Sequence, residues 1–221
     1  MVVDFAEAER RLGVSFRDKA LLQTAFTHRS FLNEARTPGL QHNERLEFLG
    51  DAVIEFIVSH YLFNAYENGS EGALTDMRKA LVCTDMLARI AKELGFEDFL
   101  LLSSGEAQDK GRARTSILAD TFEAFVGALC LDQGHEAATE FLRRTLFSRL
   151  QEVLEKKLYR DAKSDLQDIA QETLGITPTY QVLRAWGPDN DKTFTIGVLL
   201  DNRLVGKGTG KTIQEAETMA A

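Results

Sequence analysis

The period of the apolar residues changes once along this chain, near residues 158–163, and that change constrains the fold more than any other feature. Before it, apolar residues recur at three- and four-residue steps, as in helices that turn one face inward. After a short helical stretch, Ser164–Leu174 closed by Gly175, the pattern becomes strict alternation at Phe194, Ile196, Val198 and Leu200, the mark of a half-buried strand. The expectation is an all-α domain over residues 1–157, a linker at 158–163 and a small α+β domain over 164–221.

Within the first part, short helices are expected at residues 4–12, 17–27 and 29–35, then a loop around Pro38-Gly39. A central helix follows from about His42 to Tyr66, and another, with Thr75 as its N-cap, runs to Glu93. Further helices are expected from Ser116 to Asp132 and from Glu136 to Lys157. In the second part, strands at Tyr180–Trp186, Lys192–Leu200 and Arg203–Gly206 are joined by a Gly187–Asp191 turn and a tight Asp201-Asn202 turn. A last helix begins near Thr212, giving the order α-β-β-β-α.

The most distinctive stretch lies inside the central helix. Glu44, Glu47 and Asp51 of Asn43-Glu-Arg-Leu-Glu-Phe-Leu-Gly-Asp-Ala52 fall at i, i+3 and i+7, and so share one helical stripe. Like charges at such spacings cost roughly 0.2–0.5 kcal/mol per pair. A second acidic pair, Asp120 and Glu123, lies in Ile117-Leu-Ala-Asp-Thr-Phe-Glu-Ala124, again one face of an apolar helix. Taken alone, each set also fits a solvated helix face. Packed together, they would form a nest of carboxylates suited to a hard cation, Mg²⁺ or Mn²⁺. The four histidines are scattered and no zinc spacing exists. Such a cation serves phosphoryl chemistry.

The bulk numbers fit either reading. A net charge of −8 argues against a uniformly basic nucleic-acid binder, but a local basic patch can sit on an acidic whole. No apolar run approaches the ~20 residues of a membrane span, and the N-terminus lacks a basic n-region and an apolar h-region. Cys83 and Cys130, in apolar helical patterns, read as buried free thiols of a reducing compartment. A cytoplasmic protein without a membrane partner is expected.

The run Asn43–Asp51 resembles the signature of the ribonuclease III family. Thr27-His-Arg-Ser-Phe31, Glu71-Gly-Ala-Leu-Thr75 and Ser116–Ala124 are similar to its other motifs, in order, and the tail resembles the double-stranded-RNA-binding domain of bacterial members. The resemblance implies a Mg²⁺-dependent endoribonuclease, with Mn²⁺ able to substitute, that cuts both strands of an RNA duplex. The products would carry 5′-phosphate and 3′-hydroxyl ends with two-nucleotide 3′ overhangs, and the implied work is processing of ribosomal and messenger RNA precursors. It implies Glu47, Asp51, Asp120 and Glu123 as catalytic metal ligands, Glu44 and Glu71 as supporting acids, and a homodimer formed through the nuclease domain. Phe48 and its apolar neighbours become candidate dimer contacts.

For the tail, the resemblance implies RNA contacts from Ser164, Gln167 and Asp168, from Asn190 and Lys192 in the strand 1–2 turn, and from Lys207 and Lys211 near the last helix. This tail departs from the family pattern. Ile213 and Gln214 stand where two lysines commonly open the last helix, and Asn190 replaces a frequent histidine. From Lys163 to Ala221 six basic residues face eight acidic ones. RNA binding by the tail is therefore expected to be weaker than typical, with Arg78, Lys79, Lys110, Arg112 and Arg114 of the first domain sharing the work. Two alternatives are a silent relative that binds structured RNA without cutting it, and an acidic helical interaction protein.

Overall fold

A computed structural model describes residues 3–35, 39–108, 112–155, 162–188 and 192–221. The chain divides into two compact units, Met1–Tyr159 and Arg160–Ala221. In the first, α1 (Phe5–Leu12), α2 (Lys19–Ala25) and α3 (Arg29–Ala35) precede the long α4 (Glu44–Ala65). Then come α5 (Glu71–Val82), α6 (Thr84–Glu93), α7 (Arg112–Gln133), α8 (His135–Thr145) and α9 (Leu150–Glu155). In the second, α10 (Ala162–Leu174) is followed by β1 (Thr179–Trp186), β2 (Thr193–Leu200), β3 (Arg203–Gly210) and α11 (Ile213–Ala220). The expected all-α unit followed by α-β-β-β-α is what the structure shows.

The centre of the first unit is α7. Phe122, Phe125, Val126 and Leu129 are fully or almost fully buried on it, and α4, α6 and α8 pack around it. Phe26 fills the adjoining core with its ring 4.9 Å from Phe96 and 6.0 Å from Phe125, and Phe125 lies 5.0 Å from Phe141. Tilted and edge-on rings of this kind fill volume while satisfying the quadrupole of each ring.

Several expected boundaries move. Thr75 is not the N-cap of α5. Ser70 takes that place, its Oγ accepting from Ala73 N–H at 3.2 Å, while Thr75 lies inside the helix and donates to Glu71. The 75–93 helix is broken at Cys83, whose extended backbone separates α5 from α6 and leaves the thiol exposed. Cys130 is half-buried, so neither cysteine is the core thiol that the pattern implied. The 136–157 helix is interrupted at Phe147–Arg149, where the Phe147 ring stacks 4.0 Å from Tyr61 and the chain turns to keep that contact.

In the second unit the sheet order is β1-β2-β3, antiparallel throughout. Asp201 and Asn202 both adopt positive φ, 47° and 65°, as a two-residue hairpin turn of the favoured hand requires. The third strand runs past Gly206 to Gly210, four residues beyond its expected end. Gly206, Gly208 and Gly210 lie directly beneath α11, where a β-carbon would collide with the backbone at Ala220 and Ala216 or with Glu215. These glycines are clearance for a helix, and so resemble a loop only in composition.

Candidate metal centre and RNA-binding unit

Two glycines bring α4 and α7 into backbone contact. A β-carbon on Gly50 would overlap the carbonyl oxygen of Glu123, and one on Gly127 would overlap that of Leu46 and sit 3.0 Å from Gly50 N. Glycine inside a helix costs roughly 1 kcal/mol against alanine, so paired interior glycines mark a close approach that the helix interiors otherwise have no reason to make. Glu47 and Asp51 flank the crossing on α4, while Asp120 and Glu123 precede Gly127 by two turns and one turn on α7.

At this crossing one carboxylate oxygen from each of Glu47, Asp120 and Glu123 lies within 4.8 Å of the others. All three are half-buried. Asp51 is exposed and falls outside that trio, though its charge still acts on Glu47 and Glu123. Glu44, also exposed, faces Arg29 at 3.4 Å and His42 at 3.7 Å. Glu71 stands apart at the start of α5, in a cleft with Phe56, Phe63 and Arg78.

Burial and mutual repulsion together oppose ionising all three carboxyls. Burial, reinforced by Asp51, Asp120 and Glu47, pushes the Glu123 carboxyl up to about 8. Burial also raises Asp120, opposed by a 3.4 Å hydrogen bond from Ser116 and by His28. Glu47 is raised by burial and then by Asp120, Glu44 and Asp51. Three converging carboxylates, no histidine or thiolate among them, and protonation favoured without a cation are the donor chemistry of a hard divalent ion. Sequence reasoning alone had the acids but not the glycine pair that joins them, although Gly50 and Gly127 in helix interiors were a readable signal.

Four of the expected RNA contacts of the second unit, Gln167, Lys192, Lys207 and Lys211, are exposed. Gln167 is exposed on α10; Ser164 and Asp168 belong to the same helix, but their side chains lie outside the described residues, as do Asn190 and Lys110. Lys192 and Lys211 are exposed at the start of β2 and just before α11. Lys207 alternates with the glycines beneath α11 and pairs with Gly197, so it leaves the sheet on the opposite face, away from the helix terminus it was expected to flank.

A helical unit with a half-buried carboxylate crossing, joined to an α-β-β-β-α unit, defines a two-part nuclease class of protein. Residues 18–150 match the family model described as Ribonuclease-III-like, and residues 162–221 match the double-stranded RNA binding motif. Ribonuclease 3 of Pelotomaculum thermopropionicum is 47% identical over 96% of this chain and 88% of its own length. Ribonuclease 3 of Latilactobacillus sakei is 43% identical over 98% of this chain and 94% of its own. The solved nuclease domain of ribonuclease III from Campylobacter jejuni, described for flexibility in its region of dimer formation, matches with a TM-score of 0.60 at 39% identity, over 66% of this chain and 97% of that one. The chain belongs to the ribonuclease III family and is a double-strand-specific endoribonuclease.

Proposed function

We propose that the chain is a Mg²⁺-dependent nuclease, Mn²⁺ substituting, that hydrolyses both strands of duplex RNA to 5′-phosphate and 3′-hydroxyl ends with two-nucleotide 3′ overhangs. Its substrates are ribosomal and messenger RNA precursors in the cytoplasm. The observation that carries the reading is the meeting of Glu47, Asp120 and Glu123 at the α4–α7 crossing. Glu47, Asp120 and Glu123 hold the cation directly, and Asp51, one turn along α4, completes the catalytic set. Glu44 and Glu71 support it as outlying acids. The bound ion supplies Lewis acidity to the scissile phosphate and a more acidic water. In hydrolysis the water gives up a proton as its oxygen bonds to phosphorus, the bond to the 3′-oxygen breaks, and the leaving 3′-oxygen takes up a proton.

Residues 1–157 form the nuclease domain and 164–221 the RNA-binding domain, joined by 158–163. The tail reaches successive minor grooves with Ser164, Gln167 and Asp168, and with the turn carrying Asn190 and Lys192, while Lys211 meets phosphate. The nuclease domains pair as a homodimer through α4, whose Phe48, Phe56 and Phe63 are 81%, 59% and 69% exposed at steps of eight and seven residues. A two-fold axis through such a face relates two sites as a duplex relates its strands.

The test is cleavage of a long RNA duplex by wild type and Glu123→Gln, each with Mg²⁺ and with EDTA. Short duplex products are expected from wild type with Mg²⁺ alone. Glu123→Gln is expected to bind but to cut at least about 10²-fold more slowly, since metal-centred charge stabilisation amounts to several kcal/mol. Cutting that survives EDTA, or that is undiminished in Glu123→Gln, would move the site elsewhere.

A further inference from the structure

Within reach of the charges of Asp120 and Glu44 stands the imidazole of His28, which the carboxylate site leaves without a task. The backbone around His28 is pinned on both sides: His28 N–H donates to Leu101 O at 3.0 Å, Leu101 N–H to Phe26 O at 2.9 Å, and Asn43 N–H to Thr27 O at 2.9 Å. The last of these ties the segment to the start of α4 itself. The proton on the ring can be placed from its neighbours. Ser30 N–H donates to His28 Nδ1 at 3.3 Å, so that nitrogen presents its lone pair. Ser103 N–H donates to Ser30 Oγ at 3.0 Å, and the Ser30 hydroxyl, 2.8 Å from the same Nδ1, can turn its proton to that lone pair. With two donors on Nδ1, the ring carries its hydrogen on Nε2.

Burial holds His28 below the ordinary imidazole range, against the upward pull of Glu106, with Arg29 adding to the depression and Asp120 and Glu44 opposing it. Burial therefore favours the neutral ring. Among the described residues, its side-chain hydrogen bonds all fall on Nδ1. A neutral donor suits this place for a chemical reason. A lysine or arginine so close to Asp120 and Glu44 would pair with a carboxylate and compete with the cation. A neutral N–H forms no ion pair and can still donate to an anionic oxygen.

We propose that the Nε2–H of His28 donates a hydrogen bond to a non-bridging phosphate oxygen of the RNA strand lying in the carboxylate site. His28 is then an RNA-contacting residue of the reaction, and Ser30 a positioning residue that fixes its tautomer. This rests on Glu47, Asp120 and Glu123 being the cleavage site, which Glu123→Gln in the same assay checks separately.

The experiment compares single-turnover cleavage of a long RNA duplex by wild type, His28→Ala, His28→Gln and His28→Asn, with the Mg²⁺ concentration for half-maximal rate measured for each. Glutamine can bring an amide N–H close to the Nε2 position, whereas asparagine reaches only as far as Nδ1. His28→Ala and His28→Asn are expected to lose about tenfold, the scale of one hydrogen bond to a charged group. His28→Gln should recover most of it, and the Mg²⁺ requirement should stay unchanged in all. A raised Mg²⁺ requirement would show that His28 serves Asp120 and not RNA; equal rates in all four proteins, or no recovery in His28→Gln, would remove the Nε2 donor. Nitrogen-15 NMR of the wild-type imidazole needs no variant to fold. The Nε2–H tautomer, its loss of dominance in Ser30→Ala, and a shift of the Nε2 resonance on adding duplex RNA are expected. A protonated Nδ1, an unchanged tautomer in Ser30→Ala, or an Nε2 resonance indifferent to RNA overturns the proposal.

Discussion

Glu123 couples the chemistry of the site to the stability of the fold. Its carboxyl is held up to about 8 by burial and by Asp51, Asp120 and Glu47, against an ordinary value of 4.5. Between those two values the folded chain keeps a proton that the unfolded chain releases. Raising the pH through that window in EDTA therefore favours unfolding, whereas below about 4.5 the penalty from this group vanishes. Glu123→Gln, which cannot ionise, is expected to show a flatter decline of Tm from pH 5 to 8 without metal and a higher Tm than wild type at pH 8. Thermal melts across that range check it, and parallel curves for the two proteins would contradict it. The same proton opposes the cation, so Mg²⁺ should bind more tightly as the pH rises towards 8, releasing protons as it does. The acids were legible from their spacing at i, i+3 and i+7. Their perturbed protonation was not, because it depends on burial and on partners more than seventy residues away in the chain.

At the scale of elements, the carboxylates meet only because α4 and α7 touch backbone to backbone. Gly127→Ala puts a methyl against the Leu46 carbonyl, and the helices must part. Overpacking of this kind costs typically 1–3 kcal/mol, and the separation should also weaken Mg²⁺ binding. Chemical denaturation and metal titration together test it; lost stability with unchanged metal affinity would show that the crossing does not set the site. The tail offers a gain in place of a loss. Ile213 is 46% exposed and Gln214 is exposed, at the start of α11, where family members commonly carry lysines. Ile213→Lys with Gln214→Lys is expected to tighten duplex-RNA binding. It should steepen the salt dependence by roughly 0.9 log units per added phosphate contact, on the scale of duplex DNA. Unchanged slope would place this helix terminus away from the RNA. Helices and strands themselves were legible from period, since α4, α7 and β2 repeat apolar residues at the expected steps. What misled were the glycines of β3 and the residues near Phe147, where packing on α11 and on Tyr61, and not local pattern, accompanies the end of an element.

For the molecule as a whole, cutting two strands in one encounter requires two sites, and each chain carries one carboxylate crossing among its described residues. The exposed phenylalanines of α4 are the natural place for a partner. They lie on one stripe of a 22-residue helix whose other face is committed to α7, and three exposed aromatic rings along one helix are a costly surface to leave in water. Nothing in the period of α4 singles out this stripe, because Phe48, Phe56 and Phe63 recur at helical steps just as core residues do; only burial separates the two faces. A self-complementary contact counts every residue twice. Burying one Phe side chain is worth about 1.5–3 kcal/mol, so Phe48→Asp removes about 3–6 kcal/mol from the pair, before the repulsion of the added charges. The dimer dissociation constant should rise by at least about 10²-fold. Sedimentation velocity at micromolar concentration should then show a monomer for Phe48→Asp and a dimer for wild type. Because the carboxylate crossing lies within one chain, the monomer should keep Mg²⁺ binding, yet lose paired cutting of long duplexes. A wild-type chain that sediments as a monomer, or a Phe48→Asp monomer that still makes paired cuts at the wild-type rate, would take the second site away from a second copy.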